Sequence, residues 1–586
     1  MSKASLELGG GNWAAKDGKL LGYAVGDTSG KYLPREFTFS RGADIAATRV
    51  NKDGLIEKYR ENLIKSSNDF TATGWTPAQA TLLSGYSGYD GTNDAWFLRA
   101  DSSTFSRVGM DNTTSTGLNS TGLRTFSVYA KKKDYDYVGI YIQGSNKGVV
   151  FSLLDGTAVN SIISYPDIYS DGIEVGGGWW RFSISHPTIT STTAAAIYAC
   201  EAAAYNGNSN HGKGIYIQDA QFEYGLVATG YLESDDETGK AGVLDNLPRI
   251  DYTSGSAQLL MEPARTNYLP HSEYLEEWQN LLGATLTVNA ATAPDGTSTA
   301  TSWDSPTSTY RILRTVPQTL SASTNYVFSF YAKNIDADGA SYRVWNNTTE
   351  TNVITATSYI SQINTSDWTR IEVPFTTSAT PTDEYSCYVG SSSFTGEILF
   401  WGAQLEEGSY ATSYIPTYGA QDTRDLDYVQ DLTSTSSTGI TNNYNTTVFF
   451  DGSVFRNTGN TRIAALYSSS VAQNPRVLLY LAENSGNHKV IVQYRVSGQT
   501  DVYADSGSGY DFAIGDRIKM AMRLDGTSLD LFVNGVKQST ATIVQGDPIE
   551  VLRLKDESAD LGHFFNDFQV FSSSLSDAEC IALTTL

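Results

Sequence analysis

Apolar and polar residues alternate along most of this chain, in short stretches. Phe328, Phe330 and Ala332 fall on one face of an extended segment, and Ser329, Tyr331 and Lys333 on the other. Phe126-Ser127-Val128-Tyr129-Ala130 and Ile215-Tyr216-Ile217-Gln218 repeat the pattern. Turn signals such as Asp90-Gly91, Asp155-Gly156 and Asp295-Gly296 separate the runs. No long stretch keeps a helical period, so strands are predicted nearly throughout. The exception is the end, where Ser576 can cap a short helix whose first turn carries Asp577 and Glu579, favourable against the helix dipole. A sandwich buries alternate residues of many short strands, so antiparallel β-sandwiches are the economical reading.

The pattern is written twice. Asn62-Leu63 with Trp75 reappears as Asn267-Tyr268 with Trp278, and Asp90-Gly91-Thr92 as Asp295-Gly296-Thr297. Trp179 with Arg181 matches Trp368 with Arg370, and Ala220-Gln221-Phe222-Glu223 matches Ala403-Gln404-Leu405-Glu406. The offset falls from 267 − 62 = 205 to 404 − 221 = 183 while the order is kept, as expected of two copies that differ in loop length. Units this long are a tandem domain pair, since solenoid repeats run about 20–50 residues. Cys200 and Cys387 fall on similar strands after the matched tryptophans and are expected to be equivalent buried hydrophobes. Connectors with related Thr-Arg motifs (Thr48-Arg49, Arg265-Thr266, Thr423-Arg424) introduce the successive units.

After Thr423 the texture changes. Val477-Leu478-Leu479-Tyr480-Leu481 and Val490-Ile491-Val492 read as strands, and Ile518–Leu524, a turn at Asp525-Gly526-Thr527 and Leu529–Val533 read as a hairpin. The predicted fold is therefore all-β, with three consecutive antiparallel β-sandwiches after a short N-terminal segment. Residues 1–35 are Gly-rich, too short for a core of their own, and expected to be an attachment element. Residues 36–59 and 236–264 are connectors, residues 60–235 and 265–420 the two copies, and residues 421–586 the last sandwich.

Of 586 residues, 64 are acidic and 40 basic, a formal charge of −24 that repels nucleic acid and anionic lipid. Three cysteines make no disulfide framework. The start, Met1-Ser2-Lys3-Ala4-Ser5, lacks the regions of a signal peptide, and no stretch approaches the roughly 18 apolar residues of a membrane span. Expectation follows: synthesis in a host cytoplasm, no membrane insertion and no nucleic-acid partner.

No catalytic constellation stands out. The five histidines are scattered, and neither a P-loop nor a Gly-x-Ser-x-Gly elbow occurs, so no enzyme is expected. Sugar sites combine an aromatic platform with amides and carboxylates. Trp96, Trp180, Trp303, Trp345 and Trp401 have no clear counterpart in the other copy, and of these the candidates are Trp96, Trp303 and above all Trp345, which is flanked by Tyr342, Arg343 and Asn346. The competing reading for each is a strand aromatic packed in the core.

Leu260-Met261-Glu262-Pro263-Ala264-Arg265-Thr266-Asn267, with Gln404–Gly408 and Tyr410-Ala411-Thr412-Ser413-Tyr414-Ile415-Pro416-Thr417, resembles a module of tailed-phage virion proteins. Such modules look like jelly-roll carbohydrate-binding domains. Phe532-Val533-Asn534-Gly535-Val536 and Leu575–Glu579 resemble a concanavalin-A-like, laminin-G-type sandwich. The resemblance implies a virion appendage of tail-fibre or spike type that adheres to host-surface glycans. It would be joined to other virion proteins through its N-terminal segment and multiplied by homo-oligomerisation, a trimer being favoured. The alternative is a non-adhesive component such as a head fibre, decoration or tail-wall protein. Domains of both resembled kinds often bind Ca²⁺, for which Asp501, Asp505 and Asp511, then Asp556, Glu557 and Asp560, are the oxygen donors at hand. No other cofactor is implied.

Overall fold

A computed structural model describes residues 3–10, 13–16, 18–25, 32–42, 45–119, 121–143, 147–161, 169–189, 194–206, 208, 211–429, 432–433, 443–454, 459–468, 476–484, 487–507, 515–554 and 562–586. Strands hold 57% of the chain and helix 3%, as the short alternating runs require. The α-helix among the described residues is Asp577–Thr584, capped by Ser576 and Glu579 in a reciprocal capping box. No helix is long and apolar enough to cross a membrane among the described residues.

The first copy packs two six-stranded antiparallel sheets face to face. One runs, in spatial order, Tyr169–Gly176, Trp179–Ile189, Gly122–Lys132, Gly214–Tyr224, Ala95–Ala100, Ala80–Tyr86. The other runs Ala158–Ser161, Lys147–Ser152, Tyr137–Gln143, Ala194–Cys200, Arg107–Asp111, Trp75–Ala78. The second copy follows the same path with fewer breaks. Ala300–Arg314 and Glu384–Glu407 each run through both layers, kinking where their pairing register shifts between Ser305 and Thr309. Phe328, Phe330 and Ala332 enter the second core beside Trp303, and Phe126, Val128 and Ala130 enter the first.

The repeated polar residues turn out to be a buried lattice, which explains why they repeat. Arg181 donates from Nη2 to Ser127 Oγ and from Nη1 to the Thr229 carbonyl. Arg370 does the same to Ser329 and Thr412. Gln221 donates to Glu223, and Gln404 to Glu406, at 2.6 and 2.7 Å. Asn62 and Asn267 each tie a core strand to the closing loop, donating to Ala220 and Leu232 in one copy and to Ala403 and Ile415 in the other. A buried polar group without a partner costs about 1–3 kcal/mol, so each member fixes the next.

The two cysteines are both buried and unpaired, but they are not equivalent. Their strands correspond, yet Cys200 packs on the outer face with Ala196 and Tyr198, and Cys387 packs in the core. Ile197 is the core residue that Cys387 matches. Sequence spacing misplaced the pair by an odd number of residues, which in a strand exchanges faces.

The last sandwich is not made by residues 421–586 alone. Its larger sheet runs Tyr428–Val429, Tyr32–Ser40, Lys19–Val25, Leu6–Gly9, His563–Phe571, Asn445–Val454, Arg517–Asp525, Ser528–Val533, Val536–Thr542. Leu6 pairs with Val570, and Leu260 of the connector pairs with Phe564. Leu6, Leu8, Leu20 and Phe39 lie in the same core as Phe450, Leu479 and Phe568. The N-terminal residues expected to form a separate attachment element are therefore sheet strands, and the two copies are inserted between the first and last strands of one domain.

An ion network joins the connectors at a buried hub. Arg249 donates to Glu262 Oε2 at 2.8 Å, to Ser413 Oγ at 2.7 Å and to Asp427. Arg424 lies 3.2 Å from Glu262, and Arg41 3.3 Å from Asp427. Of the Thr-Arg motifs, Arg424 reaches the hub while Arg49 pairs at the surface with Glu57. Burial opposes ionisation of Glu262, yet Arg424 and Arg249 hold its carboxyl well below the usual range. Burial likewise opposes Asp427, and Arg249 and Arg41 outweigh it.

Candidate functional site

Strand alternation puts every second side chain of the second copy's Ser341–Asn346 strand outward. Arg343 and Trp345 face solvent, half-buried, with the guanidinium 4.0 Å from the indole centroid. Register sets Arg343 opposite Tyr388, and Tyr388 opposite Arg314 on its other side. The guanidinium carbons of Arg343 and Arg314 lie 5.3 and 5.4 Å from the Tyr388 ring centroid. Arg314 donates to Tyr388 Oη at 2.7 Å, to Asn347 Oδ1 at 3.3 Å and from Nε to Gln279 at 2.7 Å. Arg343 Nε donates to Asn352 Oδ1 at 2.6 Å. The result is a row of guanidinium edges, amides and aromatic rings across five strands, in which Tyr388 is 3% exposed between the two arginines and Trp345 is the half-buried aromatic.

The first copy carries the same face with different residues. Arg107 pairs across strands with Tyr198 and donates to its Oη at 3.2 Å, as Arg314 does to Tyr388. Aligning those two pairs puts Tyr141, opposite Ala196, where Trp345 stands opposite Ser386. Gly139, opposite Tyr198, stands where Arg343 does. Phe105, Tyr137, Tyr141 and Tyr205 surround Tyr198. Burial pushes the Tyr198 phenol above its ordinary range, while Arg107 works the other way.

Of the residues singled out in the sequence, Trp345 and its neighbour Arg343 belong to this face. Tyr342 points inward and stacks on Tyr359, centroids 6.2 Å apart. Asn346 is buried, donates to Asp383 at 2.7 Å and accepts from the Thr348 and Thr349 backbones, a turn-forming role. Trp303 is 0% exposed, 4.5 Å from the Phe394 ring, with its Nε1 on Asn280. Complete burial of so large a side chain makes it core, worth about 1.5–3 kcal/mol or more, and excludes ligand contact in this conformation. Trp96 is half-buried and tied through Nε1 to the Asn68 carbonyl at 2.7 Å, its ring edge-on to Phe70. Arg314 and Tyr388 were missed because nothing in the sequence sets their register against Trp345. The signal that was present is the two-residue step from Arg343 to Trp345.

Of the carboxylates considered for Ca²⁺, the two among the described residues, Asp501 and Asp505, each face a cation of the chain. Asp501 is held by Arg495 at 2.6 Å, whose hydrogen bonds keep its carboxyl below the usual range, and by Gln493. Asp505 faces Lys489 at 3.3 Å. Asp511, Asp556, Glu557 and Asp560 lie outside the described residues. Among the described residues no three His, Cys, Asp or Glu are placed to hold a metal ion.

A second concavity, about 700 Å³, opens on the outer face of the last sandwich, lined by Gln258, Asp451, Arg517, Asn566 and Asp567. Arg517 closes on Asp451, Asn566 donates to Asp451 at 3.2 Å, and Gln258 donates to Asn566. Burial pushes the Asp567 carboxyl up to about 6, with Glu7 and Asp451 adding to the effect.

No known protein family matches the chain, and no curated protein does. Among solved structures it is similar to the carbohydrate-binding module of a Ruminococcus gnavus sialidase bound to α2,3-sialyllactose, with 16% identity over 27% of this chain and 91% of that one, TM-score 0.22. It is similar also to a tandem CBM22 domain of Paenibacillus barcinonensis Xyn10C, with 11% identity over 63% of this chain and 100% of that one, TM-score 0.21. The LG1-3 region of the laminin α2 chain shows 10% identity over 78% and 94%, TM-score 0.17.

Proposed function

We propose that the chain binds glycans through the outer faces of its two repeated sandwiches, as an adhesive appendage of a phage particle and without turning its ligand over. One observation carries the binding reading. An arginine–tyrosine pair recurs at the same place in both copies, each beside a further aromatic residue on the outer face, Tyr141 in one and Trp345 in the other. Aromatic faces stack on the C–H faces of sugar rings, and guanidinium and amide groups meet their hydroxyl edges. Each face alone is shallow. Two faces per chain, and several chains on one particle, add avidity of about 10²–10⁴. The phage setting rests on the sequence motifs quoted above.

One observation favours the purely architectural alternative, namely the buried hub of Arg41, Arg249, Arg424, Glu262 and Asp427, which suits a stiff spacer. A glycan array probed with multimerised full-length chain decides between them. Binding that falls at least about tenfold in Trp345→Ala, with thermal stability retained, supports adhesion. No binding across a broad array leaves the architectural role.

A further inference from the structure

We infer that the face of the second copy selects anionic glycans, sugars carrying a carboxylate or sulfate, whereas that of the first does not. This rests on the glycan-binding reading above and adds the ligand class. Arg314 and Arg343 flank Tyr388 on neighbouring strands, and among the described residues neither forms an ion pair. Their Nε groups are held by the amide oxygens of Gln279 and Asn352, and Arg314 Nη1 by Asn347 and Tyr388. Neutral acceptors orient a guanidinium without cancelling its charge. Among the described residues each arginine thus keeps N–H donors with no acceptor, in the fork geometry that suits a carboxylate or sulfate.

Charge on the rest of the molecule does not overrule this. The formal charge is −24, but beyond a Debye length of about 8 Å it is largely screened at physiological salt. Of the exposed carboxylates on the strand of Tyr388, Glu384 is the nearer along the chain, four residues away, or about 13 Å along an extended strand. Two like charges beside one ring repel each other, and an anion bound between them relieves that repulsion.

The first copy serves as the internal comparison. Gly139 stands where Arg343 does, so one guanidinium remains, that of Arg107. A side chain at Gly139 would place its Cβ 3.2 Å from that of Tyr198, so a second cation there would need Tyr198 to shift by a few tenths of an ångström. Tyr137, Tyr141 and Phe105 leave this face aromatic and suited to uncharged sugars.

The test compares polymers that differ only in charge, presented to the intact chain on a biosensor: polygalacturonate against its fully methyl-esterified form, and dextran sulfate against dextran. We expect at least one charged polymer to bind about tenfold or more tighter than its uncharged partner, and the difference to shrink as salt rises from about 50 to about 500 mM. Arg314→Gln with Arg343→Gln should abolish the preference while leaving residual binding to uncharged polymer. Arg107→Gln should leave the preference intact. Should the double variant not fold, the charged–uncharged comparison and its salt dependence on the wild-type chain still decide. Equal binding to charged and uncharged partners overturns the anionic class but leaves glycan binding standing. A preference that survives the double variant, or is lost in Arg107→Gln, overturns its assignment to this face. Binding to none of the four polymers overturns both readings.

Discussion

Replacing Asp427 with Asn tests whether the buried hub couples the parts of this chain. Asp427 accepts from Arg249 Nη2, from Arg41 Nη1 at 3.3 Å and from the Glu262 backbone N–H at 2.9 Å, and its side chain is 0% exposed. Asparagine keeps the shape but removes one of two carboxylates facing Arg41, Arg249 and Arg424. Removing one partner of a buried ion pair costs about 3–5 kcal/mol, because the remaining charge is left uncompensated. At about 1.36 kcal/mol per decade, local opening should rise roughly 10²- to several-thousand-fold. Native-state hydrogen exchange reads this directly in peptides spanning residues 41–50, 244–265 and 420–429, with the first copy's core peptides as the unperturbed reference. Acceleration of less than about tenfold in the hub peptides would refute the reasoning. The pH dependence has a definite sign. Both carboxyls are depressed in the folded state, so their stabilisation is complete above the ordinary carboxylate range near pH 4 and is lost as pH falls from there toward the folded values. The variant should therefore differ most from the parent above pH 5.

Three further outcomes follow from the fold. Deleting residues 1–40 removes Leu6, Leu8, Leu20, Ala24, Phe37 and Phe39 from the last core. At about 1.5–3 kcal/mol for each leucine and phenylalanine this rivals a domain's whole stability, so limited proteolysis should digest residues 443–586 while both copies resist; a resistant last sandwich would sink the claim. Asp567→Asn should raise the Tm at pH 7.5, because a carboxyl pushed up to about 6 by burial costs stability when ionised, and the gain should fade as pH drops through 6 toward 4; a constant gain would contradict this. Cys200, whose thiol burial pushes up to about 12, and Cys387 should resist alkylation at pH 8 until the chain is unfolded; rapid native labelling of either would contradict its placement.

The alternating stretches and the duplicated motifs were enough to read two sandwiches of one topology, because strand period and motif order are local properties. The N-terminal strands escaped because Leu6 finds its partner at Val570, and nothing in a short Gly-rich segment announces so distant a pairing. The hub escaped in part for the same reason, since Arg41, Arg249 and Asp427 come from three connectors. At the candidate site, Trp345 was legible from its composition but Tyr342 and Asn346 were not separable from it without alternation, which sends them inward. Trp303 shows the limit of composition: a tryptophan unique to one copy can still be core.

The central claim is that the repeated outer faces touch sugar, and hydroxyl-radical footprinting of the full chain with and without bound polysaccharide tests it most directly. Oxidation of Trp345 and Tyr141 should fall on binding. Tyr23 and Tyr503, 52% and 50% exposed on the last sandwich, should not change. Protection of Tyr23 or Tyr503 with Trp345 and Tyr141 unchanged would contradict the account.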